Sequence, residues 1–258
     1  MKYYVIHAFC GGGMQGNPAA VCVTEKNLSA EIMQAIAKRI NLPETAFICH
    51  TAAGFDLRWF TPTFEINLCG HATLAAAFAV LNFLEPAASK VRFNTCSGIL
   101  TVKHCVDEYE LTLPLLPPQE ISVTAAITDA LGSKPLKAWQ ERDLYLLLEN
   151  ETAVKNYVPN YAKLQKLTDW LGVVITARGN ETDFVSRYFC PELCTEDPVT
   201  GSAHCSLAPL WAKALGKTEL TARQLSPQGG VLRCLITKNN LLLYGKARLY
   251  SQNDLFTR

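Results

Sequence analysis

Apolar and polar residues alternate along most of the chain in short runs, the period expected of strands with one buried face. In the first half such runs occupy 3–9, 19–24, 45–49, 55–61, 90–95, 98–104 and 108–113. In the second half they occupy 143–148, 172–177, 183–189, 230–237 and 241–247. Helical periodicity is rarer. One amphipathic helix is expected from Ser29 as N-cap through Ile40, and another near 160–170. Two further stretches fit neither pattern, because they are apolar on nearly every face. The first, about 71–84, begins His-Ala-Thr-Leu-Ala-Ala-Ala-Phe. The second, about 202–215, carries Leu207, Ala208, Leu210, Trp211, Ala212 and Leu215, with Pro209 expected to kink it or cost one backbone bond. A helix apolar all round belongs inside a protein, enclosed on every side.

The two apolar stretches are parts of a repeat. Arg58-Trp59-Phe60-Thr61-Pro62 and Arg187-Tyr188-Phe189-Cys190-Pro191 share the pattern R-[WY]-F-x-P and lie 129 positions apart, half of the 258-residue chain. Glu65 precedes Gly70 by five residues, and Glu196 precedes Gly201 by five. Each copy therefore reads as a strand, a loop, and a helix entered through a glycine. The expectation is an α+β protein of two pseudo-symmetric domains, each a sheet wrapped around a central apolar helix. Clustered prolines at Leu113-Pro114-Leu115-Leu116-Pro117-Pro118 mark the boundary, giving domains 1–116 and 117–258.

Charge narrows the function. Twenty-four basic and 23 acidic residues leave a net charge of +1, so no field of one sign recruits nucleic acid or an anionic membrane. The longest apolar run, Ala72 to Leu81, is well short of the ~18 residues of a membrane span. The alternating start lacks a secretory pattern, and a cytoplasmic protein is expected. The ten cysteines include no C-x-x-C pair and mostly sit in apolar strand patterns, so they are expected as buried free thiols. No glycine-rich nucleotide loop appears, and the five histidines lack metal spacing. Neither a cofactor nor a metal is expected.

The chemistry is expected at the helix starts. The first N–H groups of a helix have no intrahelical partner and carry partial positive charge, which suits an anion. Two such starts facing one cleft would hold a small acid by backbone amides from both sides.

The segments that carry these starts resemble a known family. Thr61-Pro62-Thr63-Phe64-Glu65-Ile66-Asn67-Leu68-Cys69-Gly70-His71-Ala72-Thr73-Leu74-Ala75 resembles the first signature of the PhzF-like isomerases. Ser186-Arg187-Tyr188-Phe189 through Glu196-Asp197-Pro198-Val199-Thr200-Gly201-Ser202-Ala203-His204 resembles the second. Gly16-Asn17-Pro18-Ala19-Ala20-Val21 and Glu44-Thr45-Ala46-Phe47 match two more, so the resemblance runs from residue 3 to at least 215. It implies the diaminopimelate epimerase fold, an active site between two similar domains, a homodimer, a small carboxylate-bearing substrate and no cofactor. Whether the last residues, Ala247 to Arg258, return to the first domain as in relatives is left open.

By the same resemblance Glu44 is the general acid/base. A carboxyl in a partly dry cleft has its charged form disfavoured, which suits proton exchange near neutrality. His71 lies in the substrate site, and the adjacent helix start favours its neutral form. Asp197 and Ser202 bind or orient substrate, Asp197 also sharing protons with Glu44. Asn17, Gly70 and Gly201 complete the binding set. The epimerase relatives use one cysteine per domain at the helix starts. Here Cys69 takes the first position and Val199 the second, with Cys205 nearly two turns too far on, so inversion by two thiols is not expected. Cys69 is a packing residue or, at a helix start, a reactive thiol. The primary expectation is an isomerase that moves a proton; the namesake enzyme isomerises dihydro-3-hydroxyanthranilate. An amino-acid racemase or epimerase, and a non-catalytic binding or scaffold protein, are the alternatives.

Overall fold

The computed structural model describes residues 1–52 and 54–255 and divides into two compact units, Met1–Leu113 with Leu242–Arg258, and Pro114–Leu241. The first unit contains β1 (Lys2–Cys10), β2 (Asn17–Thr24), α1 (Ala30–Ile40), β3 (Glu44–Thr51), β4 (Gly54–Phe60) and β5 (Glu65–Ile66). It continues with α2 (Gly70–Ala79), β6 (Lys90–Thr95), β7 (Gly98–Cys105) and β8 (Glu108–Pro114). The second unit contains β9 (Gln119–Ile121), α3 (Ala125–Leu131), β10 (Lys137–Gln140), β11 (Leu144–Leu147), α4 (Glu151–Asn156), α5 (Tyr161–Leu164) and β12 (Val173–Arg178). It continues with β13 (Phe184–Cys190), β14 (Thr195–Asp197), α6 (His204–Leu215), β15 (Glu219–Gln224) and β16 (Gly230–Ile236). The long β17 (Asn240–Asp254) follows, and from Lys246 to Asp254 it pairs antiparallel with β1. The terminal residues 256–258 lie outside the described residues.

In the first unit the strands close on themselves. β1 pairs with β2, β2 with β3, β3 with β4, β4 with β6, β6 with β7, β7 with β8, β8 with β17, and β17 with β1. Closure leaves no edge among these eight strands and provides a fully lined interior. That interior holds α2, whose residues Gly70 to Ala77 and Ala79 are all buried and which packs against β1, β2, β3 and β7. Its alanines let the surrounding strands approach closely, and Leu74 is wholly enclosed. Past Ala79 the helix widens into a π turn, Val80–Leu84, so the expected helix over 71–84 is two segments of different winding. α1 begins as expected: the Ser29 side chain accepts from the Ile32 N–H, and Asn41 ends the helix in the left-handed conformation.

The second unit repeats the ladder pattern. β2–β3 and β4–β6 are parallel in the first unit, as β11–β12 and β13–β15 are in the second. α6 begins at His204 rather than 202, because residues 201–203 form a turn ahead of it, and it runs through Pro209. Trp211 ties α6 down: its Nε1 donates to Thr176 Oγ1 at 3.0 Å and its ring stacks on Phe184. Helices α3 and α4 leave no helical period in the sequence, because they are only seven and six residues long. The helix expected near 160–170 is the four-residue α5.

The repeated R-[WY]-F-x-P motif has a physical purpose in both units. Arg58 Nε and Nη2 donate to the two oxygens of Glu65, each at 2.6 Å. Arg187 donates in the same way to Glu196, at 2.7 and 2.8 Å. The register is the same, Phe60 facing Glu65 and Phe189 facing Glu196, and each guanidinium lies over that phenylalanine ring. The fork closes a short hairpin, and five residues after the glutamate comes the glycine that opens the way to the helix. The copies differ in depth: Arg58 and Glu65 are 37% and 32% exposed, Arg187 and Glu196 only 9% and 13%. Arg187 Nη1 also reaches the Tyr157 carbonyl at 2.6 Å, completing the end of α4. A half-exposed pair is worth about 0–1 kcal/mol, whereas a buried one broken on one side costs about 3–5 kcal/mol. Arg187→Met should therefore lower the urea midpoint far more than Arg58→Met; equal shifts would show that the depth of the pair does not set its contribution.

Candidate active site

The chemistry of the first unit gathers at the start of α2. A Cβ on Gly16 would sit 2.4 Å from the Ala8 carbonyl oxygen, and its φ is +81°, so only glycine makes this turn into β2. The turn delivers Asn17, wholly buried, as the first residue of β2. β2 and β3 run parallel with Ala19 opposite Glu44. Because strand side chains alternate, Asn17 and Glu44 share the face that looks toward α2. His71, in the first turn of α2, lies between them. Its Nε2 is 2.9 Å from Glu44 Oε2, and its Nδ1 is 3.2 Å from Asn17 Nδ2 and 3.5 Å from Cys69 Sγ. With the Asn17 amide donating to Nδ1, the neutral ring carries its proton on Nε2, facing the carboxylate.

His71 and Cys69 are almost completely enclosed, while the Glu44 side chain keeps 17% of its surface exposed. Glu44 is thus the member of the group that meets solvent. Burial opposes a charged His71, but the Glu44 carboxylate in direct contact outweighs it and holds the imidazole well above its usual pKa. This reverses the expectation drawn from the helix start alone: a weak partial charge loses to a carboxylate in direct contact. Burial pushes the Cys69 thiol up, so the helix start does not make it a thiolate.

In the second unit Asp197 closes β14, and its Oδ2 accepts from Thr200 Oγ1 at 2.5 Å. Gln224, buried on β15, accepts from the Thr200 N–H at 2.8 Å and donates to the Asp197 carbonyl at 2.7 Å. Ser202 Oγ accepts from Arg142 Nη2 at 3.2 Å, and that guanidinium is held by the buried Asp143 carboxylate at 2.8 Å. Asp143 also accepts from the Tyr188 hydroxyl at 2.9 Å. Arg142, Asp143, Thr200 and Gln224 were not singled out from the sequence. Asp143, directly ahead of the apolar run Leu-Tyr-Leu-Leu-Leu, was the only one of them with a readable signal.

The repeat also locates counterparts. With Phe60 matched to Phe189, Thr45 opposite Phe60 matches Val173 opposite Phe189, so the counterpart of Glu44 is Gly172. A Cβ there would lie 2.2 Å from the Tyr188 hydroxyl, so the phenol occupies the space a side chain would need. The counterpart of Cys69 is Thr200, not Val199. Thr73 Oγ1 bonds the Cys69 carbonyl, and His204 Nδ1 lies 2.9 Å from the Thr200 carbonyl, four residues back in each case. The correction leaves the second thiol missing.

The profile of the family described as Phenazine biosynthesis-like protein (PhzC-PhzF) matches residues 6–247. The chain belongs to that family. It is 41% identical over 257 residues to an uncharacterized isomerase of Pseudomonas aeruginosa, covering 99% of this chain and 98% of the relative. Among solved structures, a putative phenazine biosynthesis PhzC/PhzF protein from Clostridium difficile is 47% identical, with a TM-score of 0.94 over all of both chains. A probable proline racemase from Agrobacterium radiobacter is 10% identical with a TM-score of 0.67, covering all of this chain and 93% of that one, and it shares the fold. These likenesses, with the repeated ladder, establish the α+β architecture of the diaminopimelate epimerase class. Among the described residues no helix is long and apolar enough to cross a membrane.

His204 marks this family member's second unit as acid-sensitive. It is fully buried, and burial lowers its pKa to about 4 against an ordinary 6.5. The unfolded chain therefore binds the proton more readily. The stability contributed is present above the unfolded pKa and is lost as pH falls toward about 4. About 2 kcal/mol should be lost between about pH 7 and about pH 5, within a total of about 3 kcal/mol. Urea unfolding of wild type and His204→Gln at both pH values checks this; an unchanged pH dependence in the variant would refute it.

Proposed function

We propose that the chain is an isomerase that moves a proton on a small carboxylate-bearing metabolite, with Glu44 as the general acid/base. The observation that carries the reading is the contact between Glu44 and His71, 2.9 Å apart, with the ring buried and the carboxylate partly open. A general base must reach its substrate and must also exchange its proton. Glu44 meets the first need through its partly exposed side chain and the second through His71, whose raised proton affinity lets the pair store a proton between the two half-reactions. The α2 amides from Gly70 onward supply partial positive charge for a carboxylate group. Gly201 and Ser202 serve the same purpose in the second unit. Asp197, with its carboxylate held by Thr200, is the second proton-sharing group in this proposal.

That the curated Pseudomonas relative is named an isomerase supports the reading. Thr200 at the position matching Cys69 counts against inversion by two thiols, since a hydroxyl is a poor base. No step in this proposal passes through a cofactor.

The test is transfer of solvent deuterium. Small cyclic and acyclic amino acids and unsaturated carboxylic acids are incubated with the protein in deuterated water, and label is located by mass spectrometry and NMR. Label with a moved double bond supports isomerisation, and label at an inverted α-carbon supports epimerisation. Glu44→Gln should slow incorporation by about 10²–10⁴-fold while leaving the unfolding midpoint nearly unchanged. Exchange at the wild-type rate in Glu44→Gln would remove Glu44 from the role and favour a binding or scaffold protein.

A further inference from the structure

The group at the start of α2 also has the layout of a metal site. Cys69, His71 and Glu44 each offer one ligand atom, all within 4.8 Å of one another. The two sides of the imidazole differ. Cys69 Sγ lies 3.5 Å from Nδ1, and Glu44 lies on Nε2 at 2.9 Å. A tetrahedral zinc with Zn–S of about 2.3 Å and Zn–N of about 2.0–2.1 Å holds its sulfur and nitrogen about 3.5 Å apart. The Cys69–His71 separation therefore already spans one edge of such a site. Metal-bound histidines almost always donate the other ring N–H to a carboxylate, which fixes the tautomer and raises ligand basicity. Glu44 is placed for that. The Asn17 amide, 3.2 Å from the same Nδ1, is within reach as an oxygen donor once its amide is turned.

We infer that Cys69 Sγ and His71 Nδ1 form a site for a thiophilic divalent ion of the zinc class, with Glu44 buttressing the ring from Nε2 and Asn17 completing the protein ligands. Binding forms one metal–sulfur, one metal–nitrogen and one metal–oxygen bond, to Cys69, His71 and Asn17, and releases to solvent the thiol proton and, from a charged ring, the Nδ1 proton, with no change of oxidation state. It fixes Glu44 on the ring proton and takes the pair out of proton exchange. The ion is thus an inhibitor of the activity proposed above, and this regulatory consequence rests on that reading. The metal site itself does not.

Cobalt(II) is the probe, because thiolate ligation gives an intense charge-transfer band that oxygen and nitrogen ligands do not. Titrating the full chain with Co²⁺ should give this band with saturation at one ion per chain, and Zn²⁺ should bleach it. Cys96→Ser should keep the band, and Cys69→Ser should lose it. Glu44→Gln should keep it but weaken binding by about 10–100-fold. In case Cys69→Ser does not fold, long-range ¹⁵N–¹H spectra of the wild type give a second readout: Zn²⁺ should shift His71 Nδ1 while Nε2 keeps its proton. Absence of a one-to-one thiolate band, its survival in Cys69→Ser, or metallation at Nε2 would each overturn the site. Deuterium exchange in the metal-free protein is scored separately. A band without exchange sinks the isomerase reading alone, and exchange without a band sinks the metal site alone. Exchange that persists with the site saturated by Zn²⁺ sinks the inhibitory role.

Discussion

A helix with no polar face cannot rest on a surface, and that constraint organises the first unit. α2 is buried along nearly its whole length, so strands must surround it, and eight of them do so by closing into a barrel. Apolar enclosure has a second effect at the helix start. There the backbone N–H groups remain, and any polar side chain nearby is drawn into a dry setting where its contacts are strong. His71 is placed there, and Glu44 and Asn17 are the polar partners that the β2–β3 register brings to it. The candidate chemistry thus follows from enclosing a helix whose first turn is not apolar.

The arginine–glutamate fork does related work at the hairpin before each helix. It fixes β4 against β5, and β13 against β14, at matching registers, so the chain enters each helix from a defined point. The same module serves at two depths. In the first unit it lies near the surface; in the second it is buried and also satisfies carbonyls at the end of α4.

Much of this was legible in the sequence. The twelve strand runs each fall on a strand, because half-buried strands write their period plainly. The duplicated motif exposed the repeat, since an ion pair and a glycine need fixed residue types at fixed spacing. Short elements were not legible: α3, α4, β5, β9, β10, β14 and β15 have two to seven residues, and some carry mixed polarity like Glu-Leu-Thr-Ala-Arg-Gln. At the candidate site, Glu44, His71 and Asn17 were found through a family motif, and their contacts come from folding alone, across 27 and 54 positions of chain. The charge state of His71 was misread because the carboxylate that sets it is remote in sequence. Arg142 gives no signal for the same reason, and Asp143 shows its place at the head of a strand but not its role: their meaning depends on Ser202 and Tyr188, far along the chain.

The phenol of Tyr188 makes the two copies of the repeat unequal. At the position matching Glu44 the second unit has Gly172, and the ring stands in the room a side chain would need, anchored to Asp143. A side chain at Gly172 meets that ring, so the position accepts one only if Tyr188 changes as well, while Asp143 keeps Arg142 as a partner. The two halves thus share a ladder and a hairpin fork but not the room for a side chain at the position of Glu44.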